Sequence, residues 1–117
     1  MMSTAAVIIE VIYKNRACLP CVYMEKAVLE VLPDCAGRVN YERVDLSTSR
    51  GKARFLSLSC SLFGEEGVLK HHRLAPVPSL FMNGELVFDA IPPRDELETA
   101  VREFLLSGTA PAPVEQN

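Results

Sequence analysis

The sequence lacks several features that would settle a function class at once. It has no excess of basic residues: twelve Lys and Arg stand against fifteen Asp and Glu, for a net charge of -3. Nucleic-acid binding usually needs a basic patch, so that class and its partners are not expected. There is no run of roughly 18 apolar residues, so no membrane-spanning helix is expected. Met1 to Tyr13 has no basic leading region, Glu10 interrupts its apolar run, and no small-residue cleavage site precedes the cysteines. It is therefore expected to be a first strand, in a chain that stays in the cytoplasm. No internal repeat is visible. The four cysteines, Cys18, Cys21, Cys35 and Cys60, contain only one Cys-x-x-Cys pair. Tight four-cysteine zinc sites usually have two such pairs, so no metal or other cofactor is expected. In a reducing compartment a structural disulfide framework is not expected either, and a close Cys-x-x-Cys reads as redox chemistry.

What is present suits one domain over residues 1–107. The 117 residues are 49% hydrophobic, enough for a packed core. Ala6 to Tyr13 is a Val- and Ile-rich run, as in a central strand buried on both faces. From Cys21 to Leu32 the period changes, with Met24, Ala27, Val28, Val31 and Leu32 at helical spacing before Pro33. Val39 to Leu46 alternates as a second strand. Ser47 to Ser49 offer N-caps for a second helix, and Gly64 to Ala75 reads as a long, inserted loop. Asn83-Gly84 between apolar runs signals a two-residue hairpin. A last helix, roughly Arg94 to Leu106, carries Leu97, Ala100, Val101, Phe104 and Leu105 on one stripe and ends at Gly108. Residues 108–117 have nothing to bury and read as a disordered tail. The order β-α-β-α-β-β-α gives an α/β protein with a four-stranded mixed sheet and helices on both faces.

A strand, then Cys18-Leu19-Pro20-Cys21 opening a helix, then Val77-Pro78 before a hairpin and a final helix, resembles the thioredoxin superfamily. The closest flavour is the small glutaredoxin-like thioredoxins, through Val77-Pro78, Asn83-Gly84 and Glu96-Leu97. The resemblance spans about Val7 to Leu106. It implies a thioredoxin fold, a cis Val77-Pro78 bond beside the cysteines, and substrate pairing along the Val77 backbone. Departures are also plain. Arg16 and Ala17 stand where the family has Trp. Ile12 falls nearest the family's buried acid, with Glu10 two residues earlier on the same face. Asp89-Ala90-Ile91 replaces a usual glycine, and the glutathione-binding residues of glutaredoxins are not evident.

The chemistry follows from where a thiol sits. Thiolates, not thiols, attack disulfides, and a helix N-terminus lowers a cysteine pKa from about 8.5 to roughly 3.5–7.5. Cys18 is the expected exposed nucleophile and Cys21, one helical turn on, the resolving thiol. Lys14 and Arg16 would add positive potential if turned inward. Leu19 and Pro20 complete the motif, and with Val77 and Pro78 they are the expected substrate-binding residues. Leu19 offers the thiolate no hydrogen bond, so a reductant of moderate to low potential is expected. The partners would be protein disulfides and a thiol or flavin reductase. The alternative is a binding module or a redox-regulated subunit, possibly with metal at the Cys-x-x-Cys. Cys35 and Cys60 are expected to be inert packing, with a sensor or extra resolving role for Cys60 as the alternative. His71 and His72 are expected to be solvated. Tyr13 is expected either to shape the substrate groove or to fill core.

Overall fold

The structure is a computed structural model that describes residues 7–35 and 37–107. Its centre is β1, Val7–Tyr13, in which only Ile8 is exposed. The Val- and Ile-rich composition favours a strand, and near-continuous apolarity lets both faces be covered. The chain then forms α1 (Leu19–Val31), a 3-10 turn (Leu32–Cys35), β2 (Val39–Asp45) and α2 (Ser49–Leu69). The hairpin β3 (Leu80–Met82) and β4 (Glu85–Phe88) and the last helix α3 (Arg94–Ser107) follow. The strand order is β2-β1-β3-β4. β2 runs parallel to β1, in register from Val7 with Val39 to Tyr13 with Asp45. β3 runs antiparallel to β1, pairing Ile9 with Met82 and Val11 with Leu80. The turn residues Asn83 and Gly84 both have positive φ, 51° and 84°, as a primed two-residue hairpin turn requires.

Alternation along β1 sorts the core into two layers. Val7, Ile9 and Val11 point to one face and meet Met24, Val28 and Val31 of α1 and Leu97, Val101 and Phe104 of α3. Ile12 points to the other face and meets Val44, Phe81 and Leu58 of α2. The mixed sheet with helices on both faces, expected from the sequence, is therefore present.

One sequence expectation about the helices needs correction. The stretch from Gly64 to Ala75 is not one inserted loop: helix continues to Leu69 beyond a kink at Gly64 (φ 78°, ψ 161°). Glycine alone adopts that conformation without a Cβ penalty, so the residue that looked like a stop is a hinge between two helical stretches. α1 begins at Leu19, so Cys18-Leu19-Pro20-Cys21 opens the helix as expected, with Pro20 tolerated in a first turn whose N–H groups have no partner. α1 ends at Val31, before Pro33 as expected, and Pro33 sits in the 3-10 turn that follows. The expected tail at 108–117, with the Gly108 stop, lies outside the described residues.

At the start of α2, Thr48 is the N-cap, its hydroxyl accepting from Gly51 N at 2.9 Å. A Cβ at Gly51 would run into the Asp45 backbone, so glycine is what lets α2 lie against the end of β2.

Candidate active site

The site is built where β1 ends and α1 begins. Residues 14–18 turn on Asn15, whose side-chain oxygen accepts from Ala17 N at 2.8 Å and whose carbonyl accepts from Cys18 N at 3.1 Å. That turn seats Cys18 as the N-cap of α1 (φ -83°, ψ 95°). An N-cap side chain normally supplies an oxygen to the orphan amides of the first turn. Here sulfur does so: Cys21 N donates to Cys18 Sγ at 3.3 Å. Cys21 is fully buried while Cys18 is half-exposed. The Lys14 amide donates to Cys21 Sγ at 3.4 Å. The two cysteines form a disulfide, with Cα atoms 5.3 Å apart. Each sulfur thus has a backbone N–H aimed at it.

The segment before β3 approaches the same end of the sheet. Ile12 N donates to Ser79 O at 2.9 Å, one step beyond the Val11–Leu80 pair. Val77 and Pro78 directly precede Ser79, and Lys14, two residues past Ile12, holds the Cys21 sulfur. The Val77-Pro78 bond is cis. Val77 is exposed and Pro78 half-buried; Leu19 and Pro20 are exposed beside them. Ala75 N donates to the fully buried Ser59 Oγ at 2.9 Å, which pins the segment to α2. Ser79 carries a buried hydroxyl with no hydrogen-bond partner among the described residues.

Other residues singled out in the sequence stand elsewhere. Glu10 is buried, but its carboxylate takes two hydrogen bonds from Arg54 of α2, at 2.7 and 2.8 Å. It therefore anchors α2 to the sheet. Ile12 lies in the apolar layer beneath α2. Tyr13 is buried, with the Arg43 guanidinium 4.1 Å from its ring centre, which makes it packing rather than a groove wall. Lys14, Arg16, His71 and His72 are exposed. Cys35 and Cys60 are half-exposed rather than buried. Burial, then the charges of Asp34 and Glu98, push the Cys35 thiol up from its ordinary value. A groove of about 880 Å³ lined by Glu10, Glu42, Arg50 and Arg54 does not reach the cysteines.

Two polar features escaped the sequence reading. Asn15 is one, although an Asn in a short polar loop is an Asx-turn signal. Glu25 is the other. It lies one turn past Cys21 on α1, buried between α1 and β2. Its carboxylate accepts from Arg43 twice at 2.7 Å and from the Tyr41 hydroxyl at 2.6 Å. Arg43 holds the carboxyl below its ordinary value against the opposing effect of burial. Burial and the bond to Glu25 push Tyr41 well up.

A central mixed sheet, a cysteine pair capping the first helix and a cis-proline segment beside it now stand together. The fold is the thioredoxin fold. No protein-family model and no curated protein sequence matches the chain. Solved structures do. A malarial protein superposes with a TM-score of 0.54 at 15% identity, over 83% of this chain and 94% of that one. Thioredoxin-2, a component of the malaria parasite protein secretion machinery, superposes with a TM-score of 0.56 at 16% identity, over 88% and 86%. At such identities the likeness concerns the fold.

Proposed function

We propose that the protein is a thiol–disulfide oxidoreductase in which Cys18 is the nucleophile and Cys21 the resolving thiol. The observation that carries this reading is the asymmetry of one disulfide: the half-exposed Cys18 sulfur caps α1, and the buried Cys21 sulfur rests on the Lys14 amide. In the reduced protein the first-turn amides and the positive end of the helix favour a Cys18 thiolate. That thiolate attacks a target disulfide; one target sulfur leaves as thiolate and takes up a proton. Cys21 gives up its proton and attacks Cys18 Sγ in the mixed disulfide, releasing the second target sulfur. Two electrons and two protons pass to the target, and the Cys18–Cys21 disulfide remains. Val77 and Pro78, with Leu19 and Pro20, form the surface that receives the target, whose backbone adds beside Val77 as an extra strand.

The remaining parts of the proposal are finer. The subclass is the small glutaredoxin-like thioredoxins, supported by the Val77-Pro78, Asn83-Gly84 and Glu96-Leu97 pattern. The electron source is a thiol or flavin reductase and the setting cytoplasmic. Reduction of insulin with dithiothreitol as donor tests the core of this. The wild type turns over, and Cys18→Ser falls to the uncatalysed rate; equal turnover by the variant removes Cys18 from the mechanism. Cys21→Ser retains attack but accumulates mixed disulfides, whose partners identify the targets and the reductase.

A further inference from the structure

Resting on that redox reading, we propose that the disulfide substrate lies in an acidic polypeptide segment, recognised by a cationic rim around the apolar floor of the cysteine pair. The charge is segregated. Residues 14–18 and 70–78 hold four of the twelve Lys and Arg, both histidines and none of the fifteen Asp and Glu. Eight cations are left to set against all fifteen acids elsewhere, so a positive rim belongs to a negative protein. Lys14, Arg16 and Arg73 are exposed and make no ion pair among the described residues. Lys70 has only a solvent-exposed contact with Glu66 at 3.7 Å. Of the acids nearest these segments, Glu65 and Glu66 are exposed in the last turns of α2, Asp45 is occupied by the Ser47 amide and hydroxyl at 2.9 and 2.6 Å, and Asp89 follows β4 at the far edge.

The rim is positioned by backbone. Arg73 N donates to Gly67 O at 3.0 Å and His72 has a φ of 55°, so the chain reverses directly after α2. The Ala75 bond to Ser59 then fixes the run into Val77. Arg73 is four residues before Val77, within about 14 Å by chain reach. Arg16 is two residues before Cys18. An extended substrate rises about 3.3 Å per residue, so side chains three or four residues from its cysteine come level with Arg73. Nearer ones come level with Arg16. The same two stretches of chain carry the apolar side chains of Leu19, Leu74 and Val77, exposed by 57%, 46% and 40%. The matching substrate has apolar residues beside its cysteine and acids farther out. Charges of one sign around a site raise encounter rates with the opposite sign and lose that effect in salt.

The test uses three synthetic disulfide peptides alike except for Glu, Gln or Lys at the outer positions. Their kcat/KM values are measured for the full chain at low ionic strength. The Glu peptide is expected to exceed the Lys peptide by about tenfold, with the gap closing in about 0.5 M salt, where the Debye length falls to a few Å. Arg16→Glu with Arg73→Glu inverts the order of the peptides, whereas Arg38→Glu, exposed just before β2 at the opposite end of the sheet, keeps the wild-type order. Equal values for the three peptides, each reduced in a Cys18-dependent way, overturn the acidic-substrate proposal and leave the redox reading standing. Failure to reduce any of them overturns both.

Discussion

The two ends of α1 each hold a cysteine and treat its sulfur in opposite ways. At the N-terminal end Cys18 Sγ accepts an amide N–H from Cys21. Just past the C-terminal end Cys35 Sγ donates to the Val31 carbonyl at 3.3 Å. The difference comes from the helix itself: orphan N–H groups crowd one end and orphan carbonyls the other. A carbonyl stabilises a protonated thiol, and burial with Asp34 and Glu98 pushes Cys35 further up. One kind of side chain thus meets a donor at one end of the helix and an acceptor at the other. Between the two ends, Glu25 ties the middle of α1 to β2 through Arg43 and Tyr41, which keeps the first turn fixed over the sheet.

The sharpest way to break this contrast is to remove each sulfur in turn. Cys18→Ser is expected to abolish disulfide reduction and Cys35→Ser to leave turnover unaltered; a loss of activity in Cys35→Ser means the far end of the helix takes part. Removing the tie in the middle comes next. Glu25→Ala leaves Arg43 and the Tyr41 hydroxyl without their acceptor and is expected to cost about 2 kcal/mol in urea unfolding at pH 7. The same carboxylate gives a pH dependence. Its pKa is lowered on folding, so its contribution is full above its ordinary value of 4.5 and fades as pH falls through the lower folded value. Glu25→Gln therefore flattens the acid limb of the stability curve, and an unchanged limb argues against the Arg43 pairing. Asn15→Ala, which loosens the turn that seats Cys18, is expected to cost about 1 kcal/mol and to raise the pKa of the reduced Cys18, read by alkylation rate. Smallest is Asp34→Asn, which removes one nearby negative charge and is expected to speed alkylation of Cys35 by about twofold to threefold at pH 8.

Much of the fold was legible because the patterns are strong and local. Val7 to Tyr13 could hardly be anything but a central strand, Asn83-Gly84 announces its turn, and the α3 stripe repeats cleanly. The Cys18-Leu19-Pro20-Cys21 motif could be placed because a strand precedes it and a periodic run follows it. Other features depend on contacts distant in sequence. The burial of Glu25 depends on β2 bringing Tyr41 and Arg43 over it, 16 and 18 residues on. Glu10 lies on the face expected of it, yet Arg54, 44 residues on, claims its carboxylate. Gly64 was taken for a stop because a single glycine in sequence does not distinguish the end of a helix from a kink within one. The half-exposure of Cys35 and Cys60 depends on how the neighbouring elements cover them, which a lone cysteine does not announce.

The account stands most directly on the acidity of one thiol compared with another in the same molecule. The measurement is the pH dependence of alkylation of the fully reduced protein, resolved by cysteine with mass spectrometry. Cys18 is expected to titrate below a free thiol and Cys35, pushed up by burial and by Asp34 and Glu98, above one. If Cys18 and Cys35 share one titration curve, the start of α1 does not activate its sulfur and the proposed mechanism is contradicted.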